Sequence, residues 1–446
     1  MGRGAPLADL WVVAEGRAPD DVCRLHPVTV STEGDRSDLT YESHFGRGKV
    51  VVTDFERRSV ISGIGQSEIG RRLGRRGLDL TLDAALAAIA DAGLEPADID
   101  GLATYPGGSV TGESPFAGPG TPEVQDALRL RLNWHTGGAE GPGQLAAVVN
   151  AVMAVGAGLA RHVLVYRTVT ESSGQGDEGR KAIGVDEGRI GGAMQWTIPF
   201  RAYSAACWLA LAAQRHFHEF GTTRAHLGMV AINDRKNAAL NPAAVYRDPM
   251  DLDDYLGARM ISTPFGLFDC DAPVDGSTAV VVSAADHARA VDHPVARVEA
   301  VGTALRGRPS WDQWDDMTTM AARDAAASLW ERTNLRPGDV DVAELYDGFS
   351  FLALVWLEAM GFCGRGDSGP FVEDGKRIAL DGDLPPNTNG GQLSGGRLHG
   401  FGFIHEACVQ LRGEGGDRQV PGAEVAAVTN GGGPIAGAML LTRETG

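Results

Sequence analysis

A stretch of the chain repeats itself without a gap 241 residues later, and that repeat limits the fold more than any other feature. Leu94-Glu95-Pro96-Ala97-Asp98-Ile99-Asp100-Gly101-Leu102 reads as a turn, a helical turn and a strand. Leu335 to Tyr346 carries the same pattern, with Leu94 on Leu335, Pro96 on Pro337, Asp98 on Asp339, Asp100 on Asp341 and Tyr105 on Tyr346. The flanking elements repeat as well. A helix precedes each copy: Thr81–Ala92, with Thr81 as N-cap, apolar Leu82, Ala85, Leu86 and Ile89, and Gly93 past its end, and Asp324–Asn334, with Ala327 and Trp330 inward. A glycine loop, an alanine-rich helix and an apolar strand follow each copy. These are Thr136-Gly137-Gly138, Leu145–Val155 and His162–Tyr166 in the first, and Asn389-Gly390-Gly391, His399–Leu411 and Val425–Val428 in the second. The chain therefore reads as a duplicated α/β unit.

The boundaries follow from the repeat. Residues 1–57 hold short apolar pieces between charged turns and read as an N-terminal extension that packs on the main body, or as an arm for a partner. Residues 58–290 form the first half and 291–446 the second. A helical insert occupies about 170–265, with helices over Tyr203–Phe220, ending at Gly221, and Arg224–Leu240, capped by Thr223 and stopped by Asn241-Pro242. In the first half, Val60-Ile61-Ser62 is a strand running into Gly63-Ile64-Gly65, a glycine pair that lacks the third glycine of a dinucleotide loop. Asp275-Gly276 reads as a turn before a strand over Thr278–Val282.

Composition excludes several function classes. The formal charge of −18 argues against a nucleic-acid binder, which needs a basic face. No run of about eighteen apolar residues is present, so no membrane span is expected. Asp9, Glu15, Asp20 and Asp21 are foreign to a secretory signal. Five cysteines (Cys23, Cys207, Cys270, Cys363 and Cys408) are scattered without CxxC spacing, which points to a reduced, cytoplasmic protein with no metal site. Glycine is abundant, 61 residues, of which 12 lie in 101–158 and 15 in 388–446. The excess sits in the two related loop-helix-strand regions, where backbone must pass close to backbone or to a ligand.

Four glycine-bounded loops lie where α/β folds place ligands. They are Thr136–Gln144, Leu345–Ser350, Asn387–Gly400 and Thr429–Gly433. The duplicated halves, the insert between them and the order of these loops resemble the thiolase superfamily, in its lipid-transfer-protein branch, over residues 58–446. Leu345–Gly433, with Gly361-Phe362-Cys363-Gly364 and Leu384-Pro385-Pro386-Asn387-Thr388, is most similar to the actinobacterial steroid side-chain aldolases. The resemblance implies a duplicated thiolase fold, five-layered α-β-α-β-α. It also implies retro-aldol cleavage of a β-hydroxyacyl-CoA, with the CoA thioester as substrate and no covalently bound cofactor. By the same resemblance the enzyme is a homodimer core joined by a small OB-fold and zinc-ribbon partner.

The residues depart from a true thiolase in a telling way. Its nucleophilic cysteine belongs at the N-terminus of the central helix, where the helix dipole favours thiolate. Here that loop is Thr136-Gly137-Gly138-Ala139-Glu140-Gly141-Pro142-Gly143-Gln144, and Thr429 stands at the second cysteine position. Covalent acyl transfer through a thiolate is not expected. Glu140 is a candidate base or merely a helix-start charge. Tyr346-Asp347-Gly348-Phe349 replaces the family's Asn-Glu-Ala-Phe, and the aldolases share the tyrosine. Tyr346 is expected to act as base or proton donor, although a phenol of ordinary pKa about 10 is a base only beside a cation or dipole. His399 matches the family's glycine-histidine loop and is expected to polarise the thioester oxygen or shuttle a proton. Arg397 stands where the aldolases carry a second tyrosine. It is expected to hold an oxyanion, to pair with Asp347 or to act on Tyr346. Gly390, Gly391, Gly431, Gly432 and Gly433 are the expected substrate-binding backbone. Tyr105 is expected to pack in its own half. Arg71, Arg72, Arg75 and Arg76 read as a solvated turn or as CoA-phosphate ligands. Two other readings stay open: an acyltransferase using a partner's groups, and a non-catalytic acyl-CoA or lipid carrier or scaffold.

Overall fold

The two copies of the repeat take the same conformation and join edge to edge in one sheet. The computed structural model describes residues 30–31, 39–43, 46–50, 55–106, 115–138, 144–174, 198–202, 204–305 and 316–444. Two units divide at Asp54/Phe55. In the first, β1 (Val30–Ser31), β2 (Leu39–Ser43) and β3 (Gly46–Val50) form an antiparallel meander.

In the second unit the first copy runs β4 (Ser59–Gln66), α1 (Gly77–Asp91), β5 (Gly101–Thr104), α2 (Thr121–Leu128), β6 (Trp134–Gly137), α3 (Gln144–Gly156) and β7 (His162–Thr170). The insert follows: α4 (Glu171–Gly174), α5 (Ala205–Phe220), α6 (Arg224–Leu240), α7 (Leu252–Gly257) and the small pair β8 (Met260–Ser262) and β9 (Phe265–Gly266). Strand β10 (Asp275–Ala284) returns to the sheet. The second copy runs β11 (Val295–Leu305), α8 (Met320–Trp330), β12 (Val342–Glu344), α9 (Ser350–Ala359), α10 (Ser368–Val372), α11 (Phe401–Arg412), β13 (Val425–Gly431) and β14 (Ile435–Glu444).

The repeated residues have repeated tasks. Pro96–Asp98 and Pro337–Asp339 are both 3-10 turns. The carboxylate of Asp98 accepts the N–H of Glu95 at 2.8 Å, and that of Asp339 accepts the N–H of Arg336 at 2.7 Å. Asp100 accepts the N–H groups of Arg161 and His162 at the start of β7, and Asp341 those of Glu424 and Val425 at the start of β13. Each aspartate thus ties the turn to the next parallel strand.

The sheet order is β12-β13-β14-β11-β4-β10-β7-β5-β6. Read outward from the seam it is palindromic: β11-β14-β13-β12 one way and β4-β10-β7-β5 the other. Ala296 faces Ile61 and Arg297 faces Val60 across that antiparallel seam. The edge strand β6 has a one-residue counterpart, the parallel bridge of Pro386 to Ala343. Helices α3 and α11 lie side by side in the middle. Val148, Val152, Phe401 and Ile404 share one core with Val163 and Val165 of the first half and Val428 and Met439 of the second. Helices α1 and α2 cover the outer face of the first half-sheet, and α8 and α9 that of the second. The result is the five-layered α-β-α-β-α arrangement.

Glycine works here as packing. A Cβ on Gly63 would lie 2.2 Å from the Ala88 carbonyl of α1, and one on Gly302 would lie 2.1 Å from the Ala325 carbonyl of α8. Gly63 and Gly65 therefore lie inside β4, beneath a helix, and not in a loop. This close approach also corrects the helix readings. Helix α1 begins at Gly77, so Thr81 lies within its second turn, and its hydroxyl donates to the Gly77 carbonyl at 2.8 Å. Helix α8 docks through Ala325, Ala326 and Leu329, which turns Ala327 out to solvent. Asp275-Gly276 is strand and not turn, because Asp275 pairs with Thr170 and Gly276 with Val169. The buried Asp275 carboxylate accepts the N–H groups of Leu73 and Ser173, both at 2.9 Å. Among the described residues no helix is long and apolar enough to cross a membrane.

Candidate active site

Strand alternation brings the site together. Along β7, Val163 and Val165 face the central helices, so Arg167 faces the same layer. The chain leaves β7 directly into Glu171. From the second half, β12 ends at Glu344 and delivers Tyr346. The loop before α11 delivers Arg397 and His399, and the residues leading into β10 supply Asp271. Asn387 (φ +49) and His399 (φ +51) both lie in the left-handed region, and Gly400 (φ +89) then opens α11. His399 is therefore a loop residue two places before the helix.

Glu171 is the hub. Its carboxylate receives the Arg397 guanidinium and, at 3.0 Å, Nε2 of His399. Arg397 also donates to Asp271 at 3.0 Å, and its N–H is fixed on the Ala272 carbonyl at 2.8 Å. Arg397 thus pairs with Glu171 and Asp271 and not with Asp347. Burial lowers the Arg397 pKa to about 10, so it stays charged at neutral pH. The His399 ring is held well below the usual imidazole range by burial and by the cations Arg167 and Arg397. A neutral ring donates Nε2–H to Glu171, which leaves Nδ1 as an acceptor. The edge of Phe116 meets the ring at 5.0 Å between centroids.

Tyr346 is held from behind, its N–H donating to Thr429 Oγ1 at 2.9 Å. Burial raises its phenol pKa above the ordinary range, and Asp271 adds to the rise, so the hydroxyl keeps its proton. Tyr105 packs in its own half, against Arg167 of β7. Its ring centroid lies 5.6 Å from the Arg167 guanidinium carbon; burial lowers the Arg167 pKa to about 9, so it stays charged at neutral pH, and the phenols of Tyr105 and Tyr346 oppose that fall. The positions that superpose in the repeat thus converge on one guanidinium.

Asp347 points the other way. It is fully buried and accepts the N–H groups of Gln392 at 2.9 Å and Leu393 at 3.2 Å, pinning the glycine loop. Its carboxyl faces Asp234 of α6. Burial raises both, and their mutual repulsion raises Asp234 further. The pair therefore favours holding one proton between its two carboxyls. Gly391 (φ +60) has room for no side chain, because a Cβ would lie 2.2 Å from Asp347 Oδ2. A Cβ on Gly390 would meet Ala238, one on Gly431 the Ile435 carbonyl and one on Gly432 the Trp356 ring. The Gly433 carbonyl accepts the Ala321 N–H. These glycines are packed against the protein's own backbone and side chains. Helix α6 holds the loop by its polar face: Asn237 donates to the carbonyls of Pro386 and Asn387, Arg235 to Ser394 Oγ, and Asn241 to the Asn389 carbonyl.

The shared proton gives a prediction. A carboxyl whose folded pKa is raised costs nothing at acid pH and destabilises as pH rises toward that pKa. Wild-type protein is expected to lose thermal stability between pH 5 and 9 relative to Asp234→Asn, whose amide donates to an ionised Asp347. Parallel melting curves across that range, read by circular dichroism, check it.

Four site residues escape the sequence patterns: Arg167, Glu171, Asp234 and Asp271. The legible signals were a lone charge in the apolar run His162–Thr170 and the polar run Asn233-Asp234-Arg235-Lys236-Asn237 inside a helix. Arg76 pairs with Asp79 and Arg75 with Asp83, both at the surface. Glu140 and Tyr203 lie outside the described residues. The thiols of Cys270, Cys363 and Cys408 are pushed up to about 12 by burial, so none of the three is an activated nucleophile.

Residues 304–442 match the thiolase C-terminal domain-like family. A steroid side-chain-cleaving aldolase of Thermomonospora curvata is 37% identical over 370 residues, covering 80% of this chain and 90% of that protein. The 17-hydroxy-3-oxo-4-pregnene-20-carboxyl-CoA lyase of Mycobacterium tuberculosis is 34% identical over 402 residues, covering 86% of this chain and 99% of that one. The solved structure described as Ltp2-ChsH2(DUF35) aldolase superposes with a TM-score of 0.78 at 33% identity, over 88% of this chain and 100% of that chain. With the fold, the palindromic halves and these relatives in agreement, the chain belongs to the thiolase superfamily, among its thiolase-like carbon–carbon lyases.

Proposed function

We propose that this thiolase-like lyase cleaves the Cα–Cβ bond of a β-hydroxyacyl-CoA by a retro-aldol step, with Tyr346 and His399 moving the proton. The observation that carries the reading is a protonated, half-buried Tyr346 just after β12, in a site that also holds a Glu171–His399 pair. His399, oriented by Glu171, takes the β-hydroxyl proton on Nδ1. The hydroxyl oxygen becomes the carbonyl of a departing ketone or aldehyde, and the Cα–Cβ electron pair moves onto the thioester as an enolate. Tyr346 delivers its proton to Cα, and the proton on His399 then restores the phenol. Asp347 is a positioning residue in this scheme, since it fixes the backbone of Gln392 and Leu393 behind Tyr346. Arg397 pairs with Glu171.

The names of the relatives support a steroid side-chain thioester as substrate class. The neighbour's name, which joins two components, supports a second subunit; that this subunit is a small OB-fold and zinc-ribbon protein on a homodimeric core rests on the family resemblance alone. Free thiols at Cys207, Cys270, Cys363 and Cys408 support a cytoplasmic location.

The direct test offers full-length protein, with and without a co-purified partner, 17-hydroxy-3-oxo-4-pregnene-20-carboxyl-CoA. Mass spectrometry should show the 17-ketone and propionyl-CoA in equal amounts. An acyl adduct on the protein without those products supports the acyltransferase reading instead. The pH profile follows from the shifted groups. With His399 lowered and Tyr346 raised, both limbs of kcat/KM leave the neutral range, and a plateau from roughly pH 6.5 to about 9, where Arg167 begins to lose its proton, is expected. A bell centred near pH 7 contradicts the assignment.

A further inference from the structure

A neutral His399 that gives its one N–H to Glu171 cannot also donate to the thioester oxygen. The N–H groups of Gly390, Gly391 and Gly432 are already donated within the loops, to the Asn387 carbonyl, Asn389 Oδ1 and the Ile435 carbonyl. The negative charge that forms on that oxygen needs a donor from elsewhere.

Arg167 has the required properties. It is 0% exposed, and no carboxylate neutralises it among the described residues. Its Nη1 is used up on three carbonyls, those of Phe116 at 2.6 Å, Thr168 at 3.0 Å and Tyr105 at 3.2 Å. Its Nε and Nη2, both buried, have no hydrogen-bond partner among the described residues. The Phe116 ring lies 4.9 Å from the guanidinium carbon and 5.0 Å from the His399 ring, and the Tyr105 ring lies 5.6 Å from the same guanidinium carbon. A buried guanidinium normally has a carboxylate against it, since an uncompensated internal charge is costly. This one is braced by carbonyls and rings, which fix its plane while leaving two N–H donors unsatisfied. Aromatic faces stabilise a cation without consuming its donors.

We propose that Arg167 is a catalytic residue whose Nε–H and Nη2–H receive the thioester oxygen as the enolate forms. The proposal rests on the retro-aldol reading for its substrate, and it adds the group that stabilises the intermediate. As the Cα–Cβ pair moves onto the thioester, the carbonyl oxygen gains the charge and Arg167 meets it with two preorganised donors. No bond to protein forms. When Tyr346 protonates Cα, the oxygen returns to a neutral carbonyl and the contact weakens, which favours release. Donors preorganised in a dry site act on the charge that develops and far less on the ground-state thioester.

The test isolates the enolate from bond cleavage. Propionyl-CoA is incubated with full-length enzyme in deuterated buffer, and deuterium at Cα is followed by mass spectrometry. Wild type is expected to exchange. Arg167→Met should lose exchange by roughly 10²–10³-fold, with the Kd for propionyl-CoA within about threefold, and Arg167→Lys should recover part of the loss. Exchange unchanged in a folded Arg167→Met, or no exchange in wild type, overturns the proposal. Cleavage that persists in Arg167→Met leaves the lyase reading standing while Arg167 falls. Exchange lost in Arg167→Met from an enzyme that cleaves no β-hydroxyacyl-CoA does the reverse. Should both variants fail to fold, wild type alone decides. A CoA thioether bearing a nitronate in place of the enolate should bind on the order of 10²-fold tighter than propionyl-CoA, and equal affinity refutes the role.

Discussion

Tyr346→Phe is expected to lower kcat for cleavage by about 10²–10⁴-fold, the usual worth of a positioned proton donor. KM should move by no more than roughly threefold, because the lost hydroxyl acts in the transition state and not in ground-state binding. The substitution is mild for the fold. The ring stays, and it fills the space beside Gly348, where a Cβ would lie 2.9 Å from it. The backbone N–H stays on Thr429. Rates on the pregnene carboxyl-CoA thioester, with circular dichroism to confirm folding, are the measurement. Turnover within about threefold of wild type removes Tyr346 from the chemistry.

The second large effect is structural as well as catalytic. Glu171→Ala leaves Arg397 with Asp271 as its remaining carboxylate and leaves His399 without its orienting partner. The side chains of Glu171 and Arg397 are only 11% and 22% exposed. Stranding a buried charge costs about 3–5 kcal/mol; Arg397 keeps Asp271, so a smaller loss of about 1–3 kcal/mol is expected. Denaturant unfolding of Glu171→Ala should show a loss of that size. The double variant Glu171→Ala/Arg397→Met should be no more stable than the single one and remain inactive, because it takes from Asp271 its partner and His399 is still free to rotate. An unchanged unfolding midpoint in the single variant means that the pair contributes nothing.

Local patterns carried the architecture well and the site only in part. Pro96, Asp98, Asp100 and their copies were legible because each acts within a few residues or at the start of the next strand. The span Arg224–Leu240 was legible because cap, apolar positions and Asn241-Pro242 agree. Glu171 was not, because its partner His399 lies 228 positions away and nothing near Glu171 marks a site. The same holds for Asp271 with Arg397 and for Asp234 with Asp347. Adjacent residues in an extended segment point to opposite sides, which is why Tyr346 faces the site while Asp347 holds the loop behind it. What Tyr105 meets from the other half was illegible for a related reason. A repeat shows which positions are equivalent, but the seam decides whether equivalent positions end up far apart or together. Ala327 was turned outward by tertiary contact, since the approach of α8 to Gly302 sets which face of the helix docks.

The palindromic strand order has a further consequence. It is the order that two identical units produce when each sets its first strand against the same strand of its twin. The β4–β11 seam therefore has the geometry of an isologous dimer interface held within one covalent chain. A true symmetric pair must keep both pockets alike, since one gene specifies both. Covalent linkage lifts that rule. Here one copy contributes a tyrosine that lies on a guanidinium and the other a tyrosine beside Asp271, and only the second copy carries Arg397 and His399. A single asymmetric centre has formed on the former symmetry axis, where an acid and a base can differ because they no longer descend from the same codon in each generation.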